Sequence, residues 1–524
     1  MTTVESRTPL QIVDPAVIQR LTARIVAGPR ADRAATIAPF TGEPLAEVPV
    51  STADDVAAAY EAAREAQRVW AGRPVRERAQ VVGRIHDRVL DRQSEIADLV
   101  QAESGKARRD AFEEIGDVAL AARYAAVRGP RVLRDKRHAG LFPGLTQAIE
   151  VRHPKGVVGV VSPWNYPLTL AISDNLPAFV AGNAVVHKPD TQAILTALLA
   201  RAVAVEAGLP AGLWQIVAGD GPTVGGAVIE HADYVSFTGS TAVGRQVGAR
   251  AGERLVGASL ELGGKNALVV LDDADVDRAA ECAVRGCFAN AGQLCIGIER
   301  IVVASSVRAE FTERFLDRVA RLRVGPAFDY STDMGSLVSR AQLDKVTEHV
   351  EDAVSKGATV LAGGKPRPDL GPWFFEPTVL TGVRPEMLAA RDETFGPVVA
   401  IYEAGTDDEA VAIANDSPYG LNAGVCTGDV RRGVAVARRI RAGAVNVNEA
   451  YGAAWGSHHL PMGGMGASGL GRRHGEAGIL RYTEPQGIAV QRLHGIAPPG
   501  RMGYDTFAKA MTGALRVMRR LRRA

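Results

Sequence analysis

Apolar residues fall at helical spacing through two Ala-, Arg- and Glu-rich stretches, residues 57–101 and 110–132, which predicts a largely α-helical amino-terminal part. The texture changes at Val157. From there short β-branched runs at 157–161, 184–186, 214–217 and 234–237 alternate with helical segments, the pattern of a parallel sheet wound by crossover helices. A second alternating series follows, with strands expected near 267–271, 300–303, 398–402, 423–426 and 444–447. The predicted fold class is α/β, and the first series has the layout of a dinucleotide-binding sheet. Residues 137–151 and the strand-like 486–492 belong to neither series by pattern.

The most apolar stretch, 156–186, is interrupted by Pro163, Pro167, Asp174, Pro177 and Asn183, so it reads as strand, turn, helix and strand rather than as a membrane span. Pro498-Pro499-Gly500 sets off a tail. In it Phe507, Met511, Leu515, Met518 and Leu521 recur at spacings of four and three, and Arg516, Arg519, Arg520, Arg522 and Arg523 are available for the other face. That predicts an amphipathic basic helix, suited to an anionic membrane surface, to docking on an oligomer, or to a disordered end.

A hydrophobic content of 46% over 524 residues describes an ordinary globular chain with room for about three domains. The net charge of +2 argues against nucleic acid as a partner. Four cysteines in such a length fit a reducing compartment, and no Cys-x-x-Cys or Cys/His cluster has zinc-site spacing, so no metal is expected. The first ten residues have no apolar run of the secretory kind, which makes cytoplasmic residence the expectation.

Candidate chemistry concentrates in three segments. Glu261-Leu262-Gly263-Gly264-Lys265 sets a carboxylate among glycines, and Gly292-Gln293-Leu294-Cys295 sets a cysteine after a flexible turn. A thiolate at Cys295 can add to a carbonyl carbon, and a carboxylate at Glu261 can activate the water that releases the product. Upstream, Pro163-Trp164-Asn165 supplies an amide able to hold the resulting oxyanion, although Asn165 would also suit a helix cap before Pro167. Gly239 through Gly244, with Ser240 between, joins a strand to a helix whose amino terminus suits a pyrophosphate. Cys282 and Cys287, inside an apolar helical run, read as buried and inert.

Together with His187-Lys188-Pro189, Phe237-Thr238-Gly239-Ser240, Glu393-x-Phe395-Gly-Pro and Gly466-x-Ser468-Gly, these segments resemble the aldehyde dehydrogenase superfamily in order and spacing from about Ala38 to Gln491. The tracts 188–192, 295–300 and 461–466 look most like an actinobacterial branch labelled succinate-semialdehyde dehydrogenase (NADP+). The resemblance implies the aldehyde dehydrogenase fold: a Rossmann-like parallel-sheet cofactor domain (1–136 and 152–262), an α/β catalytic domain (263–483) and a small oligomerisation sheet (137–151 and 484–495), with 496–524 as the tail. It implies Cys295 as nucleophile, Glu261 as general base and Asn165 as oxyanion donor. The cofactor falls to Trp164, Asn165, Lys188, Pro189, Asp190, Thr191, Gly239, Ser240, Gly244, Leu262, Glu393 and Phe395. Lys188 would bind the adenosine ribose and Glu393 the nicotinamide ribose, and Phe395 would lie by the ring.

NAD-preferring members often carry a glutamate three positions after that lysine, and Thr191 stands there instead, so NADP is expected ahead of NAD. The implied reaction is oxidation of an aldehyde to a free acid, with succinate semialdehyde one candidate substrate. In established members acting on that substrate an arginine eight positions beyond the asparagine pairs with its distal carboxylate. Here that residue is Ser173, which leaves His458, His459 or Arg285 to compensate. The expected partners are a small aldehyde and a second copy of the chain in a homodimer or homotetramer. The alternatives are a membrane-peripheral dehydrogenase of lipophilic or aromatic aldehydes, in contact through 505–524, and a catalytically silent structural relative.

Overall fold

The structure, a computed structural model, describes residues 12–141, 146–492 and 497–520. The amino-terminal part is helical, but the run expected over 57–101 is three helices: Ala53–Ala71, Val75–Asp91 and Gln93–Ser104. Thr52 opens the first with a reciprocal cap, its hydroxyl accepting from the Asp55 amide while the Asp55 carboxylate accepts from the Thr52 amide. Gly72, Arg73 and Pro74 then break the path, because proline cannot supply an interior helical N–H. The helix that follows them, Arg108–Val132, is the long one and packs along Val75–Asp91.

A six-stranded sheet follows, ordered Gly469–Leu470, Gly257–Glu261, Tyr234–Thr238, Val157–Ser162, Ala184–Pro189, Trp214–Ile216. All but the two-residue edge strand run parallel. Val157–Ser162 therefore lies between the strand that follows it and the strand three later, so the chain reverses its winding there. Every residue of Ala184–Pro189 is buried, as expected where helices cover both faces. The pattern of β-branched runs missed Gly257–Glu261, whose Gly-Ala-Ser-Leu-Glu sequence is too weakly apolar to announce a strand.

The second sheet has seven strands, ordered Thr359–Ala362, Thr378–Thr381, Val398–Ala404, Ile298–Ala304, Asn266–Val270, Asn422–Cys426, Ala444–Val447. Only Thr359–Ala362 is antiparallel to its neighbour. A separate antiparallel sheet joins Lys136–His138, Thr146–Pro154 and Thr483–Gln491. It absorbs both segments that matched neither series, and its strands run longer than the sequence pattern marked. A hairpin of Arg33–Ala38 and Glu43–Pro49 was not expected. The tail helix spans Tyr504–Arg520, while Leu521, Arg522, Arg523 and the side chain of Arg520 lie outside the described residues. Among the described residues no helix is long and apolar enough to cross a membrane.

Candidate active site

The candidate residues of the first sheet stand at the carboxyl ends of its parallel strands. Trp164 and Asn165 follow Val157–Ser162, Lys188 and Pro189 end Ala184–Pro189, Gly239 and Ser240 follow Tyr234–Thr238, and Glu261 ends Gly257–Glu261. In open parallel sheets this edge, at the reversal of winding, is where ligands bind.

Cys295 reaches the same edge from the second sheet, three residues before Ile298–Ala304. The turn ahead of it is unusual: Asn290, Ala291 and Gly292 take φ of 51°, 53° and 71° in succession. Left-handed conformations cost non-glycine residues of order 1–3 kcal/mol each, so the surroundings must hold them. Gly292 is required as well because a Cβ there would stand 2.0 Å from the Gly396 carbonyl oxygen. The Asn290 amide donates to the carbonyls of Asn165 (2.9 Å) and Gln293 (3.0 Å), and the Gln293 carboxamide bonds Asn290, Ser336 and Val338. Asn266 donates to the Cys295 carbonyl at 2.8 Å. Cys295 itself stays partly open to solvent. Burial pushes its thiol up to about 12, the Arg473 charge opposes that, and Glu393 and Glu261 add to it.

The Asn165 carboxamide donates to the Gln293 carbonyl at 3.1 Å and does not cap the following helix, Pro167–Ile172, whose cap position is Tyr166. That helix's first amides, of Leu168 and Thr169, go instead to Glu114 Oε2 at 2.8 and 2.9 Å. Glu261 is buried, and its Oε1 has no hydrogen-bond partner. Burial raises its carboxyl to about 7, against the pull of Arg473, and Asp174 adds to the rise. The solvated strand-end carboxylate that bare sequence would suggest is not what the fold builds.

The cofactor candidates of the first sheet stand at the carboxyl ends of its strands. Ser240 caps the thirteen-residue helix Thr241–Glu253 by accepting from the Val243 amide at 3.4 Å. Gly244 lets that helix sit against the strand, since a Cβ there would meet Leu262 Cδ2 at 2.3 Å. Lys188 is buried, its ammonium pushed down by burial and pulled back by Asp190 and Asp220. Asp190 accepts from the Gln192 amide in a local turn, and Thr191 donates to the Gly219 carbonyl, which ties the end of Ala184–Pro189 to the segment after Trp214–Ile216. Glu393 accepts from the Gly264 amide at 2.8 Å and is raised to about 7 by burial and by Glu299. The rings of Trp164 and Phe395 meet edge to face at 5.6 Å.

Two buried ion pairs that the sequence did not mark support these parts. Lys106 Nζ lies 2.5 Å from Glu114 Oε1 and donates to the Asn165 carbonyl at 2.9 Å. Lys265 pairs with Glu299, whose carboxylate accepts from the amides of Thr394 and Phe395. Lys265 and Glu299 are 34 residues apart, and Lys106 and Glu114 lie eight apart across a helix start, so neither pair has the three- or four-residue spacing of a helical ion pair. A cavity of about 790 Å³ elsewhere, beside the helix Val276–Phe288, is lined by none of the candidate catalytic or cofactor residues, though Arg285 borders it. It does expose Cys282, which corrects the expectation that this cysteine is buried, whereas Cys287 is buried as expected.

The profile of the aldehyde dehydrogenase family matches residues 26–488. The chain belongs to the aldehyde dehydrogenase family. A relative from Mycolicibacterium smegmatis, named as a putative succinate-semialdehyde dehydrogenase (NADP+), is 52% identical over 482 residues, covering 92% of this chain and 93% of its own. One of the same name, numbered 2, from Mycobacterium tuberculosis is 51% identical over the same length and shares. Among solved aldehyde dehydrogenases, an NAD-dependent one from Sinorhizobium meliloti superposes with a TM-score of 0.86 at 34% identity, covering 93% of this chain and 98% of that one. Betaine aldehyde dehydrogenase from Staphylococcus aureus, in complex with NAD+, gives 0.85 at 30% identity, with coverage of 93% and 99%.

Proposed function

We propose that this aldehyde dehydrogenase oxidises an aldehyde to a free carboxylic acid through a thioester on Cys295. The observation that carries the reading is the meeting, at one sheet edge, of a partly open cysteine, a buried carboxylate with an unpaired oxygen and a fixed carboxamide. The Cys295 thiolate adds to the carbonyl carbon, and the oxygen's new charge rests on the Asn165 amide and the Cys295 backbone N–H. A bound nicotinamide supplies the hydride acceptor. Glu261 then takes a proton from water as the water attacks the thioester carbon, and the thiolate leaves.

The cofactor candidates fit a dinucleotide: a capped helix amino terminus for the pyrophosphate, glycines where a side chain would intrude, and buried Lys188 beside the second strand. NADP is the preferred cofactor in this reading, with NAD also accepted. The names of the mycobacterial relatives and the absence of an acidic residue at Thr191 support that order. Neither the silent relative nor the membrane-bound dehydrogenase is favoured by the comparisons. A cytoplasmic homodimer or homotetramer is part of the proposal. The sheet that includes Thr483–Gln491 supports assembly, because it leaves Ile488 and Val490 exposed. The exposed tail helix is a candidate for contact with a second copy of the chain or with an anionic membrane surface.

Exchange of Cys295 for Ala tests the mechanism. It should abolish aldehyde oxidation and leave dinucleotide binding, followed by fluorescence quenching, unchanged. Substantial steady-state turnover by the variant would refute the covalent route.

A further inference from the structure

Asp117, His458 and His474 come from three separate segments: the helix Arg108–Val132, the loop after Gly452–Trp455, and the cap position of the helix Gly475–Leu480. One ligating atom of each lies within 4.8 Å of those of the other two. All three are more than nine-tenths buried, at 4%, 5% and 8% exposure. Asp117 Oδ1, His458 Nε2 and His474 Nδ1 each lack a hydrogen-bond partner. His458 Nε2 stands 3.2 Å from Asp117 Oδ1 without the alignment of a hydrogen bond. Two ligands that share a tetrahedral zinc at bond lengths of about 2.0–2.2 Å are separated by about 3.2–3.6 Å, so the Asp117–His458 spacing suits a common ion, with the His474 atom within 4.8 Å of both.

The surroundings favour the same reading. Asp117 Oδ2 accepts from Ser173 Oγ at 3.0 Å, which fixes the carboxylate and leaves Oδ1 for the histidines. The neighbouring guanidiniums of Arg473 and Arg481 are both committed to Asp174, at 2.7 Å each. A cavity of about 20 Å³ opens beside Ser173, His458 and His474, enough for one water. The His458 carbonyl also accepts from the Gly475 amide at 2.9 Å, so the two histidine segments are already joined.

We propose that Asp117, His458 and His474 bind one divalent cation of the zinc class, with water as the fourth ligand. Carboxylate oxygen and imidazole nitrogen are the donor set such an ion takes. The ion would clamp the segment 458–474 to the helix Arg108–Val132. That segment includes Gly463, whose Cβ position lies 3.1 Å from Glu261 Oε1, so the clamp would steady one wall of the general base's pocket.

The test uses the full-length enzyme. Metal content is measured after purification without chelator, and chelator-stripped enzyme is then titrated with zinc chloride against a chromophoric zinc indicator. One equivalent per chain is expected, with a higher Tm on zinc addition. His458→Gln, His474→Gln and Asp117→Asn should each weaken binding at least a hundredfold. Ser173→Ala, which removes only the carboxylate's support, should weaken it about 10–100-fold. Cys295→Ala should bind as the wild type does. Should a histidine variant fail to fold by circular dichroism, Ser173→Ala decides. The proposal is overturned if folded wild type takes up no stoichiometric zinc, if the histidine variants bind equally well, or if Cys295→Ala removes the binding.

Discussion

The Asn165 carboxamide donates to the backbone carbonyl of Gln293 at 3.1 Å, two residues ahead of Cys295. One of its two N–H groups therefore holds the cysteine turn, and the other remains for a substrate oxygen. Asn165→Ala should lower kcat by about 10²–10³-fold, the usual effect of losing one oxyanion donor. Alkylation of Cys295 by iodoacetamide should change only a few-fold. A parallel collapse of labelling would assign Asn165 to the turn alone.

Glu261 sets a pH dependence. Its carboxyl is raised to about 7, so the fraction able to accept a proton from water falls as pH drops through neutrality. Thioester hydrolysis, read as the steady-state rate following a rapid NADPH burst, should decline below about pH 7. Glu261→Gln should keep the burst and lose both the steady rate and the inflection. An inflection that survives the exchange would belong to another group.

The same residue affects stability with a definite sign. Its folded pKa lies above the unfolded one, so the folded protein holds the proton more tightly and loses stability as pH rises from the unfolded value toward about 7. The shift from 4.5 to about 7 corresponds to at most about 3 kcal/mol. Glu261→Gln should therefore raise Tm at pH 8 and leave it nearly unchanged at pH 4. Equal effects at both pH values would point to packing instead.

How far the chain could be read before its fold was known varies by part. The central strands of both parallel sheets were visible as β-branched runs, because strands buried on both faces must be apolar throughout, whereas Thr359–Ala362 and Thr378–Thr381 at one edge of the second sheet were not marked. Gly257–Glu261 was not visible, although it carries Glu261, because Gly, Ala and Ser provide little apolar signal. Cys295, Glu261 and Asn165 stood out through their motifs. Lys106 and Glu114, which hold Asn165 from behind, did not, since a buried ion pair looks like two surface charges until the fold joins them. The Asp117, His458 and His474 cluster escaped for the same reason: its members share no local spacing.

Cofactor choice depends on charge around Lys188. Thr191 brings no carboxylate, but the fold sets Asp220 close enough to act on the lysine, as the turn cap that accepts from the Thr223 amide at 2.6 Å. Asp220→Asn retains a capping side chain while removing a negative charge near the expected 2′-phosphate. It should raise the ratio of kcat/KM for NADP over NAD, and Thr191→Glu should lower it. Ratios unchanged in both variants would locate selectivity elsewhere.

The tail helix Tyr504–Arg520 leaves Leu515 and Val517 more than half exposed, with Lys509, Arg516 and Arg519 on its surface. Each basic residue near an anionic surface contributes about 1 kcal/mol. Cosedimentation with phosphatidylserine-containing vesicles should show binding that salt weakens and that truncation after Pro499 removes. Equal binding by the truncated enzyme would eliminate the tail as the contact.

Substrate preference follows from what surrounds Ser173. Its hydroxyl donates to Asp117 Oδ2 at 3.0 Å, so the position that resembles the arginine site of succinic semialdehyde enzymes faces a carboxylate here. The residues that sequence offered as compensation are engaged elsewhere: His459 packs against Tyr124 at 4.8 Å, Arg285 pairs with Glu113 at 2.9 Å, and His458 faces Asp117. With no cation bound at Asp117, a distal carboxylate would gain no charged donor at Ser173 and would meet a like charge behind it. Losing a hydrogen bond to a charged group costs about 1.5–3 kcal/mol, or roughly a 10- to 150-fold loss in kcat/KM. Chelator-stripped wild-type enzyme should therefore use butanal or benzaldehyde with higher kcat/KM than succinic semialdehyde. Ser173→Arg alone should bring little gain, because Asp117 would take the new guanidinium. A wild-type kcat/KM for succinic semialdehyde far above those of the uncharged aldehydes would show that another group recognises the carboxylate.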